Sequence, residues 1–234
     1  MERSGVIIVA GGAGRRCGGR LPKQFALLGG MPVLARTVGN FARALPGAPI
    51  VVVLPAEHID FWNNLRARFD TAPHTVTDGG AERFHSVRNG LAALPDDVRL
   101  IAVQDGVRPL GSAKLIRRLA AEAAAHGSAI PVVEPADSYR ETDGEHSHTL
   151  DRSRLRIVQT PQFFDAEVLR AAYRADYRPE FTDDASVVEH AGHAVRLCEG
   201  ERQNLKITTP EDFAVAEALL AAREENAYED LPTE

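Results

Sequence analysis

Short apolar runs alternate with helical patterns through most of the chain. Helical spacing of apolar positions predicts helices over residues 32–45, 56–69 and 112–126. Runs rich in Val, Ile and Leu predict buried strands over residues 6–10, 49–54, 99–104 and 128–133. Because strands that alternate with helices favour parallel pairing, we expect an α/β fold with a doubly wound, mostly parallel sheet.

Capping residues support two of the helix boundaries. Ser112 is an expected N-cap, and Gly127 lies just beyond the end of the same predicted helix. Near the end of the chain, Thr209 and Pro210 are followed by two acidic residues. Pro is favoured at the first helical position and acids suit the N-terminal end of the helix dipole, so this segment predicts another helix start.

Two segments depart from the alternation. Residues 135–154 are polar and lack helical spacing, and loops of this length in compact domains are often functional. Residues 223–234 carry five acids against one base, which is typical of a solvated, frayed terminus. We therefore expect a single domain over residues 1–222, followed by an acidic tail.

Composition narrows the functional classes. The 234 residues hold 27 Lys and Arg against 33 Asp and Glu, a net charge of −6, which argues against a nucleic-acid partner. The hydrophobic fraction of 44% excludes disorder for most of the chain. Two cysteines cannot form a disulfide framework, and the apolar runs are too short for a signal peptide or a membrane span. We expect a cytoplasmic protein with no membrane partner.

The stretch from residue 10 to residue 24, AGGAGRRCGGRLPKQ, is the most informative part of the sequence. It follows a predicted strand and contains four cations and no acid: Arg15, Arg16, Arg20 and Lys23. Glycines let backbone N–H groups approach a ligand closely, and ligands bind at the carboxyl ends of strands in open α/β sheets. This pattern favours a polyphosphate site, with a tight turn that carries a solvated basic face as the alternative.

Two common phosphate-binding motifs are absent from this stretch. The P-loop pattern G-x-x-x-x-G-K-[ST] does not occur, since Gly19 is followed by Arg20. The dinucleotide pattern G-x-G-x-x-G fails because Cys17 stands where its last glycine should be. The second predicted strand also lacks the expected ribose-binding acid after it, so an NAD(P)-dependent reductase is disfavoured.

Several short blocks resemble the sugar-nucleotide pyrophosphorylase-like nucleotidyltransferases. Within that superfamily, the blocks more closely resemble the 2-C-methyl-D-erythritol 4-phosphate cytidylyltransferase family of the non-mevalonate isoprenoid pathway. The matching blocks cover nearly the whole chain and occur in order: A-G-G-A-G-R-R…P-K-Q from residue 10, G-G-A-E-R from 79 with Ser86, D-G-V-R-P from 105, D-R from 151, T-P-Q-F-F from 160, T-D-D-A-S from 182 and N-L-K-I-T from 204.

The resemblance implies a Rossmann-like fold and a defined reaction. CMP would pass from CTP to 2-C-methyl-D-erythritol 4-phosphate, giving 4-diphosphocytidyl-2-C-methyl-D-erythritol and pyrophosphate, with Mg²⁺ or another divalent cation as cofactor. The attacking phosphate is largely a dianion near neutral pH and needs no general base, which fits the lack of a Ser/His/Asp or Cys/His constellation. The open alternatives are a cytidylyltransferase for ribitol 5-phosphate or another polyol phosphate, and a nucleotide-binding regulator without catalysis.

The resemblance also assigns nucleotide-side roles to residues of this sequence. The cations expected to hold the triphosphate and act catalytically are Arg16, Lys23 and Lys206. The expected nucleotide-binding residues are Ala10, Gly11, Gly12, Gly14, Gly80, Ala81, Ser86 and Asp105. We also expect Glu82 and Arg83 to pair with each other near the base pocket, with no chemical role.

The acceptor side is expected to involve a second subunit. The expected acceptor-binding residues are Asp105, Arg108, Ser138, Arg152, Thr160 and Thr182, and Asp105 is also the candidate metal ligand. In the resembled family, the segment 135–154 is a protruding β-arm that clasps the other subunit of a homodimer. Arg152 would then reach the acceptor phosphate in the partner's site. Ser138 stands where the family usually has Thr, so it keeps the hydroxyl and loses the methyl group.

Overall fold

A mixed sheet with helices on both faces forms the centre of this computed structural model, which describes residues 3–11 and 21–229. The helices are α1 (Val33–Ala44), α2 (Ala56–Arg68), α3 (Arg83–Ala93), α4 (Ala113–His126), α5 (Ala166–Ala172), α6 (Asp184–His190) and α7 (Pro210–Glu229). The strands are β1 (Ser4–Val9), β2 (Leu27–Leu28), β3 (Met31–Pro32), β4 (Ile50–Leu54), β5 (Thr75–Asp78), β6 (Leu100–Asp105), β7 (Ser128–Val133), β8 (Tyr139–Thr142), β9 (Ser147–Leu150), β10 (Ile157–Val158), β11 (Gln162–Asp165) and β12 (Leu197–Glu199).

The main sheet is mostly parallel, which confirms the predicted fold class. Within the described residues it has eight strands, ordered β10-β7-β11-β6-β1-β4-β5, with β12 also paired to β7. β1 is parallel to β4 and β6, and β4 is parallel to β5. β11 runs antiparallel to β6 and β7. It follows the long segment after β7 rather than a helical crossover, so nothing constrains it to the parallel direction.

Side chains on the strands alternate between two core layers. In β1, Val6 and Ile8 pack in one cluster while Ile7 packs in the other, as the two-residue period of a strand requires. The first layer contains buried side chains of α1, α2 and α4, including Trp62. The second layer contains those of α3, α5 and α6. The sheet is therefore covered on both faces, as in a doubly wound fold.

Parallel pairing brings the carboxyl ends of four strands to one edge of the sheet. The turns after β1 and β6 lie in direct contact there, since the Gly106 amide donates to the Val9 carbonyl at 2.8 Å. A Cβ on Gly106 would lie 2.8 Å from Cβ of Ala10, closer than carbon atoms pack. Glycine is therefore required at position 106 for the two turns to meet.

The last helix closes a third, smaller core. Leu28, Val107, Ile207 and Ala216 are buried together, so α7 joins segments that are far apart in sequence. The predicted helix start is confirmed at Pro210. The helix continues to Glu229, seven residues into the segment that we expected to be frayed, and residues 230–234 lie outside the described residues. No helix in the described ranges is long and apolar enough to cross a membrane.

The polar segment 135–154 contains a hairpin that lies off the main sheet. β8 and β9 pair antiparallel with each other, Tyr139 opposite Leu150, and form a separate two-stranded sheet. All four residues of β8 are exposed. The segment is thus a protruding β-arm.

The packing of α3 on the sheet predicts a large effect of one methyl group. A Cβ on Gly90 in α3 would lie 2.6 Å from Cγ2 of Ile7 and 3.1 Å from Cγ2 of Val53. Such overpacking costs about 1–3 kcal/mol, which exceeds the helix-propensity gain of about 0.5–1 kcal/mol from replacing Gly by Ala. We expect Gly90→Ala to lower the free energy of unfolding, measured by urea denaturation.

Gly39 in α1 provides a matched control for this substitution. A Cβ there meets only the flexible end of Arg43, at 3.2 Å, among the nearest atoms. Gly39→Ala should therefore leave stability unchanged or raise it by up to about 1 kcal/mol. A Gly90→Ala protein as stable as the Gly39→Ala protein would contradict this account of the α3 interface.

Candidate active site

A cleft of about 330 Å³ opens at the carboxyl edge of the parallel strands. The turns after β1 and β6, the start of α3 and the segment before α7 form its walls. The residues that line it are Val9, Ala10, Gly11, Lys23, Gln24, Gly80, Ala81, Glu82, Arg83, Ser86, Asp105, Val107, Lys206 and Thr208. A larger cavity of about 450 Å³ lies at the opposite end of β4, and its lining includes Pro49 and Ile50. Its lining is mostly apolar, so we place the candidate site in the smaller, polar cleft.

One side of the cleft is built from glycines and backbone groups. Ser86 in α3 accepts a hydrogen bond from the Gly80 amide at 3.1 Å through Oγ and donates to the Glu82 carbonyl at 3.2 Å. Ser86 is buried and lies against Gly11, where a Cβ would be 3.9 Å from its Oγ. The structure therefore brings the predicted nucleotide-side residues of two distant loops together, with Ser86 setting the conformation of the second loop.

Gln24 is a cleft residue that the sequence analysis missed. Its side chain is buried, and Nε2 donates to the Ala10 carbonyl at 2.9 Å. This hydrogen bond ties the segment that carries Lys23 to the turn after β1. The sequence signal for Gln24 was its position beside Lys23 at the end of the glycine-rich stretch. That position does not by itself show whether the Gln24 amide is buried or exposed.

Two of the three lysines in the sequence line this cleft. The chain contains only Lys23, Lys114 and Lys206, and Lys114 lies on the exposed surface of α4. Lys206 Nζ lies 3.0 Å from Asp105 Oδ2. Residues 23 and 206 are separated by most of the chain, so their presence in one cleft is a property of the fold.

Arg16, Gly12 and Gly14 were also predicted to belong to this site. They lie outside the described residues, together with Arg15, Cys17 and Arg20. Their predicted roles stay predictions.

The buried carboxylate of Asp105 lies among three cations. Arg108 Nε is 3.3 Å and Lys206 Nζ 3.0 Å from its Oδ2, while Arg83 Nε is 3.8 Å from its Oδ1. Burial alone would raise the pKa of Asp105, but the positive charges of Arg83, Lys206 and Arg108 together outweigh that effect and lower the pKa to about 2. Asp105 is therefore ionised throughout the physiological range.

Arg83 does not pair with Glu82 as expected. Its Nη1 and Nη2 donate to Oδ1 and Oδ2 of Asp184 at 2.9 and 2.7 Å, across 101 positions of sequence. Tyr173 OH donates to the same Asp184 Oδ1 at 2.6 Å. The expectation was wrong because a planar guanidinium prefers a bidentate carboxylate, and the fold brings the buried Asp184 to it.

Arg108 and Thr160, both predicted to bind the acceptor, contact Asp105 in the structure. Arg108 is almost fully buried and donates from Nη1 to the Asn204 carbonyl at 2.9 Å. The Asp105 amide donates to Thr160 Oγ1 at 3.0 Å, and Asn204 Nδ2 donates to the Thr160 carbonyl at 2.8 Å. These bonds fix the segment before Lys206 against the end of β6.

The remaining predicted acceptor residues lie away from the cleft of this chain. Ser138 and Arg152 are exposed in the arm segment, and Arg152 Nη1 donates to the Ala136 carbonyl at 2.6 Å. Thr182 is exposed just before α6. None of the three is among the described residues that line the cleft.

Comparison with known proteins assigns the family. Residues 5–222 match the model of the 2-C-methyl-D-erythritol 4-phosphate cytidylyltransferase family. The chain is 48% identical over 216 residues to the protein of that name from Bacteroides fragilis, covering 92% of this chain and 98% of that protein. The chain belongs to this family.

Solved structures agree with the sequence match. The structure of 4-diphosphocytidyl-2C-methyl-D-erythritol synthase from Anaerococcus prevotii is similar at a TM-score of 0.79 and 26% identity, over 94% of this chain and 96% of that one. The 2-C-methyl-D-erythritol 4-phosphate cytidylyltransferase from Thermus thermophilus gives a TM-score of 0.74 at 32% identity, over 94% and 98%. The resemblance inferred from the short motif blocks is confirmed.

Carboxylates that could hold a metal are few in this cleft. No group of three or more His, Cys, Asp or Glu side chains suited to a metal ion occurs within residues 3–11 and 21–229. Asp105 and Glu82 are the acidic residues among the described lining. This donor set fits Mg²⁺, which is commonly held by one or two carboxylates together with substrate phosphates.

The lowered pKa of Asp105 predicts a specific acid sensitivity. Its folded pKa of about 2 lies below the ordinary value of 3.8, so the ionised form is stabilised by folding. That contribution is complete above pH 4 and is lost as the pH falls through 2, a change of about 2 kcal/mol. We expect Asp105→Asn to flatten the decline of unfolding free energy between pH 4 and pH 2, measured without nucleotide or metal.

Asp96 provides the control, because it is an exposed aspartate in the loop before β6. Asp96→Asn should leave the acid limb of the stability curve close to that of the original protein. An Asp105→Asn protein with the same acid limb would mean that Asp105 is not held ionised by its three cationic neighbours.

Proposed function

We infer that this chain is a cytidylyltransferase that transfers CMP from CTP to 2-C-methyl-D-erythritol 4-phosphate, with release of pyrophosphate. The products are 4-diphosphocytidyl-2-C-methyl-D-erythritol and pyrophosphate. The observation that carries the inference is the meeting of Lys23, Lys206 and Asp105 in one cleft at the carboxyl edge of the sheet, in a member of this family.

The nucleotide side of the cleft suits a pyrimidine nucleotide. The small residues Ala10, Gly11, Gly80 and Ala81 line it, and Ser86 holds the Gly80 loop in place. Backbone N–H and C=O groups in a narrow cleft can read the edge of a base while leaving little room for a larger one. We propose that these residues, with Gly12 and Gly14, bind the cytosine, ribose and first phosphate of CTP.

The chemical step needs charge stabilisation rather than a base. The acceptor phosphate is largely dianionic near neutral pH, and its oxygen attacks the α-phosphorus of CTP while pyrophosphate leaves. The main obstacle is the repulsion between two anions, so fixed cations lower the barrier. We assign this role to Arg16, Lys23 and Lys206. Lys206 is half-exposed, so its ammonium can turn from Asp105 to the phosphate oxygens.

The acceptor is proposed to bind against Asp105 and its neighbours. Asp105 can accept hydrogen bonds from sugar hydroxyls, while Arg108 and Thr160 hold its carboxylate and backbone. Thr182 begins the T-D-D-A-S block of residues 182–186, two residues before the Asp184 that binds Arg83. We propose that Arg108, Thr160 and Thr182 shape this side of the site.

Mg²⁺ is the proposed cofactor. Asp105, together with CTP phosphate oxygens, would hold it, and it would neutralise charge on the triphosphate. In this arrangement the protein would contribute one carboxylate ligand to the ion. The cations of the cleft would neutralise the rest of the phosphate charge.

A homodimer would complete the acceptor site. The arm exposes Tyr139, and Ile157, Val158 and Leu197 near its base are also large apolar side chains exposed in the single chain. We propose that a second copy covers this surface and that Arg152 and Ser138 of one subunit reach the acceptor in the other. The net charge of −6 and the two cysteines support a cytoplasmic enzyme without a nucleic-acid or membrane partner.

A polyol-phosphate cytidylyltransferase is the second candidate, because the same cations and nucleotide pocket would serve it. Its acceptor, ribitol 5-phosphate, differs from methylerythritol phosphate in chain length and branching. The identity to a named methylerythritol phosphate enzyme over nearly the full chain favours the first assignment.

The proposed function predicts both an acceptor preference and the loss caused by removing a cation. With CTP and Mg²⁺, pyrophosphate release should be faster with methylerythritol phosphate than with ribitol 5-phosphate. Lys23→Ala and Lys206→Ala should each lower kcat by about 100-fold or more, since removal of one transition-state donor costs about 10²–10³. A coupled pyrophosphate assay measures all of these rates.

Lys114→Ala is the matched control, because Lys114 is the third lysine of the chain and lies outside the cleft. It should leave kcat unchanged. Faster turnover with ribitol 5-phosphate would overturn the acceptor assignment, and a Lys206→Ala rate within a few-fold of the original would overturn the catalytic one.

The dimer proposal predicts complementation between inactive subunits. The Arg152→Ala subunit lacks the arginine proposed to reach the partner's site, and the Lys23→Ala subunit lacks a cation of its own cleft. If Arg152 acts across the dimer, a heterodimer retains one intact composite site and should regain up to about half of the activity per heterodimer. Tagged subunits co-purified as a heterodimer, assayed beside each homodimer, provide the measurement. Heterodimers as inactive as the homodimers would count against the arm's role.

A further inference from the structure

A buried ion pair joins the two sides of the cleft. Arg83 is the first residue of α3, the helix that carries Ser86, and Asp184 is the first residue of α6. The guanidinium of Arg83 donates from both Nη atoms to the two oxygens of Asp184. The Asp184 side chain is fully buried, and Tyr173 donates to it from a ring stacked on Phe84 at 4.7 Å. Two charge-assisted hydrogen bonds therefore fix the orientation of Arg83.

This fixed orientation leaves one nitrogen of Arg83 directed at the cleft. Its Nε lies 3.8 Å from Asp105 Oδ1, whereas Lys206 and Arg108 both contact Oδ2. The two oxygens of Asp105 thus face different cations. Of the three cations around Asp105, only Arg83 also binds a second buried carboxylate among the described contacts.

Charge arithmetic separates Arg83 from the cations that would receive phosphate. Arg83 and Asp184 neutralise each other, so the pair adds no net charge to the cleft. Asp105, Arg108 and Lys206 together leave one positive charge. Lys206 is 45% exposed and can exchange its contact with Asp105 for a phosphate oxygen. Arg83 would have to abandon a buried Asp184 to do the same, which is costly.

We propose that Arg83, anchored by Asp184, is a positioning residue that holds the Asp105 carboxylate in the orientation from which it aligns Lys206 and the acceptor. The inference rests on the proposed cytidylyl transfer and adds to it a residue that acts through Asp105. It also explains why an arginine at the start of α3, beside the predicted nucleotide-binding residues, is tied to the start of α6, next to the predicted acceptor residue Thr182, because both substrates must be aligned before phosphorus is attacked.

The test uses a variant that leaves no buried charge unpaired. Arg83→Gln alone would leave the buried carboxylate of Asp184 without its cationic partner. The main variant therefore combines Arg83→Gln with Asp184→Asn. Tyr173→Phe is a milder second variant. We expect the double variant to lower kcat by about 10- to 100-fold, as loss of a supporting residue commonly does, with KM for CTP changed less than about threefold. Tyr173→Phe should give a smaller loss of the same kind.

Arg170→Gln is the matched structural control. Arg170 holds the other end of α3, donating to the Leu91 carbonyl at 2.7 Å, far from the cleft. This variant should lower Tm while kcat stays within about twofold. A purely structural role for Arg83 would make the two arginine variants alike, with losses of Tm and no selective fall in kcat.

A double-mutant cycle with Asp105→Asn identifies the route of the effect. If Arg83 acts through Asp105, adding the Arg83→Gln and Asp184→Asn substitutions to Asp105→Asn should lower kcat by less than about threefold further. A further loss of kcat of about 10-fold or more would overturn the proposal. A kcat within about threefold of that of the original protein, in the variant that carries only Arg83→Gln and Asp184→Asn, would also overturn it. Absence of cytidylyl transfer in the unmodified protein would instead overturn the proposed function.

Discussion

The cleft depends on one carboxylate that several cations share. Burying Asp105 at the end of β6 would be unfavourable without compensation, and gathering Arg83, Arg108 and Lys206 in one place would be unfavourable without an anion. The three cations compensate for the burial of the Asp105 carboxylate, and that carboxylate compensates for the repulsion among the cations. Because the three cations come from α3, the turn after β6 and the segment before α7, the ion cluster forms only when the whole domain has folded.

The apolar packing beneath the cleft explains how such distant segments stay in register. Leu28 lies just after the segment of Lys23, Val107 just after Asp105, and Ile207 directly after Lys206, and all three are buried in the same small core cluster. The Ile207 amide also donates to the Val107 carbonyl at 2.9 Å. Each functional side chain is therefore within a few residues of an apolar anchor, so the site inherits the rigidity of the core.

The sequence predicted the elements whose signals are local and missed those that depend on distant contacts. The bounds of β7 and the Ser112 cap of α4 follow from nearby residues and are confirmed. The antiparallel insertion of β11 was not predicted, since a strand of four residues carries no information about its direction. The prediction for Arg83 was wrong for the same reason, because its partner is 101 positions away and only the fold brings it near.

The candidate site was predicted better than the packing around it. Lys23, Ser86 and Asp105 were named from the family resemblance that the short motif blocks carry, and the structure brings them to one cleft with Lys206. Motifs carry this information because phosphate chemistry requires particular side chains, whereas packing tolerates many. Gln24 was missed, since a buried amide that supports a backbone turn has no sequence pattern of its own.

The contacts of Arg108 bear on why the acceptor side would need a second subunit. Arg108 directs Nε to Asp105 and Nη1 to the Asn204 carbonyl, and only 9% of the residue is exposed. An arginine engaged in this way stabilises the site but is poorly placed to neutralise an incoming phosphate dianion. Lys206 is proposed to serve the α-phosphorus, so the acceptor phosphate requires a further cation. A two-stranded hairpin is only marginally stable by itself, and Arg152 lies in the exposed arm two residues after the end of this hairpin. A partner that stabilised the arm by packing against it would meet both requirements at once.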